Sequence, residues 1–63
     1  MRYFLIQKIN EPGQFWSEDR GWTDADGADW FVAGEIDDYV PPSGGHWVPA
    51  DVVKEGDHFK VTV

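Results

Sequence analysis

The sequence predicts an α+β fold, in which a small antiparallel sheet of three to five short strands carries one short helix. Three observations predict it. A chain of 63 residues allows one domain, residues 1–63. Short stretches of β-favouring residues alternate with turn-forming residues. There are no cysteines, so the core must come from apolar packing, for which four Trp, four Phe and two Tyr are present. The same short strands could instead close into an SH3-like small β-barrel.

The clearest strand covers residues 2–9, RYFLIQKI. Its uninterrupted apolar run, residues 3–6, indicates burial on both faces and therefore a central position in the sheet. Residues 10–13 follow as a turn, because Pro12 fixes φ and Gly13 permits positive φ.

Residues 14–17 predict a short return strand, residues 18–21 a second turn, and Trp22 and Thr23 a resumption of the sheet. The predicted helix comes next. Thr23 or Asp24 would cap one or two helical turns over residues 25–31, although a glycine inside such a helix costs about 1 kcal/mol relative to alanine.

The last third of the chain predicts a loop followed by a hairpin. Residues 33–45 are rich in proline and glycine and predict the loop. Residues 46–54 and 58–63 predict two strands joined by a turn. Pro49 cannot donate a ladder hydrogen bond, so it predicts that the first of these strands lies at an edge or bends there.

The whole formal charge of the protein, −7, lies in residues 18–38, which we call the acidic segment. The rest of the chain has as many bases as acids. The acidic segment has a single base, Arg20, and eight carboxylates: Glu18, Asp19, Asp24, Asp26, Asp29, Glu35, Asp37 and Asp38. Confining so much like charge to a third of a small domain costs stability, which a basic partner would offset.

The acidic segment is therefore either a solvated face with no dedicated partner or a surface that binds a basic DNA-binding protein by presenting carboxylates where that protein binds phosphates, and we take the second as our hypothesis. A pI near 4.3 argues against direct binding of nucleic acid or of an anionic membrane. No apolar run reaches the roughly 18 residues of a membrane span, and no signal peptide opens the chain. We expect a cytoplasmic monomer.

The aromatic residues offer a second kind of site. Most of the four tryptophans are expected in the core, since Leu and Ile are few. Trp22, Trp30 and Tyr39 are interleaved with the carboxylates and are candidate anchors for a partner. The alternative function is accordingly an SH3-like protein- or peptide-binding module that uses exposed tryptophans.

The sequence gives little support for a metal site or for catalytic activity. Residues 24–35 have acids at positions 1, 3 and 12 of an EF-hand loop, but Gly27 stands at position 4 and Ala28 at position 5. His46 and His58 could meet across the hairpin, yet no third ligand is indicated. The sequence has no GxSxG motif, and so small a fold leaves little room for a concave site. We expect neither an enzyme nor a cofactor.

Part of the chain resembles a pattern in small phage and prophage proteins. The residues that carry it are Phe15-Trp16-Ser17, Gly21-Trp22-Thr23-Asp24, Ala28, Phe31, Glu35, Val40-Pro41 and Trp47-Val48-Pro49. In size, acidity and lack of cysteine the chain also resembles the anti-CRISPR proteins of bacterial mobile elements, several of which are DNA mimics. This resemblance implies that the partner is the DNA-binding subunit of a CRISPR effector. The carboxylates of the acidic segment would then occupy the path of target DNA.

Overall fold

Strand β1 (Arg2–Lys8) lies at the centre of a five-stranded antiparallel sheet in the computed structural model, which describes residues 2–63. The other strands are β2 (Phe15–Ser17), β3 (Gly21–Thr23), β4 (Gly45–Glu55) and β5 (His58–Thr62). Their order across the sheet is β3-β2-β1-β4-β5. The predicted strands, including the C-terminal hairpin, are confirmed with small changes at their ends.

The apolar run of β1 correctly predicted its central position. Leu5 and Ile6 are adjacent, so their side chains point to opposite faces of the sheet, and neither has any exposed surface. Both faces of β1 are therefore covered. Its neighbours are β4 along its whole length and β2 at its C-terminal end, where Gln7 pairs with Phe15.

The predicted α+β class is wrong, because the described part of the chain is all-β. Its only helical element is a single 3₁₀ turn, Ala25–Gly27, where a helix over residues 25–31 was expected. Asp24 caps this turn, but Ala28 already has extended backbone, with φ −81° and ψ 159°. Gly27 weakens helix propagation, and three residues are too few to offset the cost of helix nucleation.

Strand-like pairing replaces the rest of the expected helix. The Asp29 N–H donates to the Trp16 carbonyl at 3.1 Å. Phe31 and Phe4 then exchange two backbone hydrogen bonds, of 2.7 and 2.9 Å. Residues 29–31 thus run beside β1 where β2 has ended, and backbone groups that a helix would have paired internally are paired with the sheet.

Strand β4 changes partner along its length, which explains how it accommodates Pro49. Residues Gly45 to Asp51 pair with β1, and Asp51 to Glu55 pair with β5. Pro49 lies opposite Phe4, whose N–H and C=O are already bonded to Phe31. This is therefore a non-hydrogen-bonded pair of the β1–β4 ladder, and the N–H that proline lacks would have pointed away from β1.

One face of the sheet is curled around a small core made of Leu5, Phe15, Ala28 and Ala50. The 3₁₀ turn contacts both β2 and β5, which lie on opposite sides of β1 and β4. The sheet must curve for both contacts to form. A small β fold thus fits the alternative drawn from the sequence, although within residues 2–63 no ladder joins β3 to β5.

The other face of the sheet carries a second group of aromatic side chains. Trp47 packs edge-on against Phe31, with ring centroids 5.0 Å apart, and Tyr39 packs against both rings. The long connection between β3 and β4 brings Tyr39 onto this face. That connection includes most of the acidic segment, so the charge and the second aromatic group lie together.

Candidate functional site

The carboxylates of the acidic segment are exposed, except for Asp29, which is half-buried. None of them forms a salt bridge with a base of the described chain. The two ion pairs found among residues 2–63 use acids outside this segment: Arg2 with Asp51 at 4.0 Å, and Lys8 with Glu11 at 2.8 Å. Within residues 2–63 the carboxylates of the acidic segment are therefore not neutralised by any ion pair.

Three of these carboxylates hold the local backbone: Asp24 and Asp29 near the 3₁₀ turn, and Glu35 at Val32. Asp24 accepts a hydrogen bond from the Gly27 N–H at 2.9 Å through Oδ1, which caps the 3₁₀ turn. Asp29 Oδ2 accepts a hydrogen bond from the Glu18 N–H at 3.0 Å, which connects the turn after β2 to the residues that follow the 3₁₀ turn. Asp24 and Asp29 thus have structural roles of their own, whatever they bind.

Tyr39 is the point at which several of the predicted residues meet. The indole N–H of Trp16 donates to its phenol oxygen at 3.0 Å, and the phenol donates in turn to Glu18 Oε1 at 3.2 Å. Partial burial raises the pKa of the Tyr39 phenol above its ordinary value. The Trp16 hydrogen bond acts against this shift, whereas the negative charges of Glu18 and Asp29 add to it.

Beside Tyr39 lies a cleft of about 310 Å³, which we call the Tyr39 cleft. It is lined by Phe31, Gly34, Glu35, Asp38 and Tyr39. Glu35 is held in place because its Oε1 accepts the Val32 N–H at 3.0 Å. The cleft therefore combines two aromatic rings with two carboxylates.

The three predicted aromatic anchors are not brought together. Trp22 packs edge-on against Trp16, with ring centroids 5.3 Å apart. Trp30 packs against Phe59 at 5.3 Å, and it borders the core on the curled face. Only Tyr39 lines the cleft, so the arrangement contains no continuous groove formed by all three.

The two histidines are far apart: His46 is near the start of β4, and His58 is the first residue of β5, opposite the last residue of β4. His46 Nε2 is 3.0 Å from Gln7 Oε1, whereas His58 pairs with Glu55 at the hairpin turn. Asp24, the first residue of the EF-hand-like spacing, serves as a turn cap. Over residues 2–63, no three His, Asp or Glu side chains are placed to hold a metal ion.

Sequence reasoning missed Phe31 and Gly34 as parts of the cleft. Residues 30–32, Trp-Phe-Val, are aromatic and β-branched and favour extended backbone, a signal that outweighs the capping residue before them. Given an extended Phe31, its side chain would be expected on one face and that of Trp30 on the other. No comparable signal identifies Gly34.

Comparison of the chain with protein-family models, curated proteins and solved structures found no match. Within residues 2–63 no helix has the length and apolar character needed to cross a membrane.

Proposed function

We propose that the protein is an inhibitor that binds a basic DNA-binding protein and blocks its access to DNA by charge mimicry. The proposed target is a DNA-binding subunit of a CRISPR effector in the cytoplasm of a bacterial host cell. In this proposal the protein acts as a monomer and binds no nucleic acid itself. It performs no catalysis and needs no cofactor.

One observation supports this proposal above all. Every carboxylate of the acidic segment lacks a salt bridge within residues 2–63, while two acids elsewhere are paired with bases. Unpaired like charges repel one another and lower the stability of so small a domain. A basic partner would relieve that repulsion on binding.

Seven of the eight carboxylates divide into two groups, and the eighth, Glu18, accepts a hydrogen bond from the Tyr39 phenol. Asp24, Asp29 and Glu35 accept hydrogen bonds from backbone N–H groups, so they hold the surface in shape. Four others are exposed and make no side-chain hydrogen bond in the described structure: Asp19, Asp26, Asp37 and Asp38. These four are the best candidates to replace phosphates in a groove lined with Lys and Arg.

The test compares two charge-reversal variants of equal net charge. Asp26→Lys with Asp37→Lys alters the acidic segment, whereas Glu55→Lys with Asp57→Lys alters the exposed hairpin turn by the same amount. The parent and both variants are used to capture proteins from a bacterial lysate that contains CRISPR effectors. Bound protein is eluted with a salt gradient.

We expect the parent and the hairpin variant to retain a basic DNA-binding protein that elutes at moderate salt. The variant in the acidic segment should lose it, because opposite charges no longer meet. Equal retention by both variants would contradict the proposal. A partner retained at high salt by all three proteins would support the peptide-binding alternative, since contacts with aromatic rings depend little on salt.

A further inference from the structure

The Tyr39 cleft contains carboxylates that have no ion-pair partner among residues 2–63. Its volume, about 310 Å³, lies at the lower end of the range for ligand sites, so it suits one side chain better than an extended ligand. A second cavity, of about 220 Å³, lies between the chain ends and is lined by both members of the Arg2–Asp51 ion pair. Arg2 and Asp51 of this second cavity form an ion pair with each other, whereas Glu35 and Asp38 of the Tyr39 cleft form none within residues 2–63.

The lining of the Tyr39 cleft favours a cation. Aromatic faces attract cations through their quadrupole. Phe31 is only 8% exposed and is in contact with Tyr39, at a ring centroid distance of 4.8 Å, so the half-buried Tyr39 ring offers most of the aromatic surface. Glu35 and Asp38 add two carboxylates. A cation bound in the cleft would be attracted both by the aromatic surface and by the two carboxylates.

The cleft is also preorganised. The Tyr39 phenol is fixed by hydrogen bonds with Trp16 and Glu18, and its ring rests against Trp47 with centroids 6.2 Å apart. Glu35 is fixed through the Val32 N–H. Of the two lining carboxylates only Asp38 has no such hydrogen bond within residues 2–63, so Tyr39 and Glu35 would lose little conformational freedom when a ligand enters, which favours binding.

No base of residues 2–63 forms a salt bridge with Glu35 or Asp38 of the Tyr39 cleft. Arg2 and Lys8 are in ion pairs with acids outside the acidic segment. Arg20, the base nearest in sequence, has its guanidinium beside Gly27, where Nη1 lies 3.1 Å from the position that a Cβ would occupy. The described lining of the cleft includes no Lys, Arg or His, which leaves room for a cation from another molecule.

We propose that the Tyr39 cleft binds an arginine side chain of the basic partner, which would anchor the complex. The identity of that partner rests on the proposed function, whereas binding of arginine to the cleft does not. A guanidinium is planar, stacks on aromatic rings and pairs with carboxylates through two parallel hydrogen bonds. Lysine is a more strongly hydrated point charge and gains less from such a site.

The probe is a capped tripeptide, acetyl-Gly-Arg-Gly-amide, added at low salt to the full-length protein labelled with ¹⁵N. Chemical shifts of the backbone amides report where it binds. We expect the largest changes at Gly34, Glu35 and Asp38. The lysine tripeptide of the same design should bind at least about twofold more weakly.

Two neighbouring substitutions separate the cleft from general charge attraction. Asp38→Asn should weaken binding of the arginine tripeptide by about threefold to fivefold, as loss of one ion pair implies. Asp37→Asn removes the same charge from an exposed residue outside the lining, and should weaken binding by less than about twofold. Amide spectra of both variants show whether the fold is retained.

Equal weakening by the two variants would overturn the proposal, as would shifts spread evenly over the acidic segment or equal binding of the lysine tripeptide. Such results would leave charge mimicry standing, since it needs no single anchor. Conversely, arginine binding in the cleft without capture of any basic protein would contradict the proposed function alone.

Discussion

The indole N–H of Trp16 donates to the phenol oxygen of Tyr39 at 3.0 Å, across a sequence separation of 23 residues. Trp16 belongs to β2, and Tyr39 lies in the long connection between β3 and β4. This hydrogen bond therefore ties the end of a connection with little regular structure to the sheet. Tyr39 also lines the cleft. The shape of the cleft therefore depends on strand β2, although no residue of β2 lines it.

Tyr39→Phe should lower the free energy of unfolding by about 1 kcal/mol, because it leaves the half-buried indole N–H of Trp16 without its acceptor. Urea denaturation followed by tryptophan fluorescence would measure the loss. Tyr3→Phe is the matched control and should change the free energy by less than about 0.5 kcal/mol. Equal losses in the two variants would mean that the Trp16–Tyr39 hydrogen bond contributes nothing to stability.

The raised pKa of Tyr39 predicts a loss of stability in alkaline solution. A phenol whose pKa is raised by folding keeps its proton more firmly in the folded state, so its contribution is fully present below pH 10.0, the ordinary value. The contribution is then lost as the pH rises towards the folded-state value. Unfolding measured at increasing pH should show a steeper decline above pH 10 in the parent than in Tyr39→Phe. Parallel curves would contradict this prediction.

Gly45 occupies a position where no side chain fits. A Cβ there would lie 2.6 Å from Ile6 Cγ2 and 3.0 Å from Trp22 Cη2. Gly45→Ala should therefore destabilise the protein by about 1–3 kcal/mol, the usual cost of overpacking. Gly13→Ala is the control, since a Cβ at Gly13 meets nothing within 4 Å, and it should cost less than about 0.5 kcal/mol. Thermal unfolding of both variants would check the difference, and a neutral Gly45→Ala would show that Ile6 can move aside.

Asp24 and Asp26 are both exposed acids, but only Asp24 caps the 3₁₀ turn. Asp24→Ala should cost about 1 kcal/mol, the typical value of an N-cap, even though it relieves charge repulsion. Asp26→Ala should be neutral or slightly stabilising, because it removes a charge without breaking a hydrogen bond. Chemical denaturation of the two variants at the same ionic strength makes the comparison. Equal free energies of unfolding for the two variants would contradict a capping role for Asp24.

The strands could be predicted because their signals are local. The apolar run of β1 predicts burial on both faces, which Leu5 and Ile6 show. The alternation of β5 predicts an extended strand, although of its apolar residues only Val61 is half-buried and Phe59 is 50% exposed. The helix prediction failed for a non-local reason: Phe31 pairs with Phe4, a residue 27 positions earlier, and a capping residue cannot signal that. The sheet thus determined the conformation of residues 29–31.

The candidate site could be predicted only in part, for the same reason. The acidic residues were evident from composition, and their exposure follows from their charge. Which of them share a cleft with Tyr39 depends on how the long connection crosses the sheet. Trp22 and Trp30 were grouped with Tyr39 because they are near in sequence, yet Trp30 packs against Phe59 of β5 and borders the core of the curled face.

Competition with DNA for the captured partner is the most direct test of the central claim, that the acidic segment takes the place of DNA. The affinity of the partner for this protein would be measured with increasing amounts of duplex DNA, at low salt and near 0.15 M salt, where screening lengths fall to about 8 Å. We expect DNA to displace the protein in proportion to the affinity of DNA for the partner, and we expect binding to weaken as the salt concentration rises. A complex that forms equally well with saturating DNA and at both salt concentrations would contradict it.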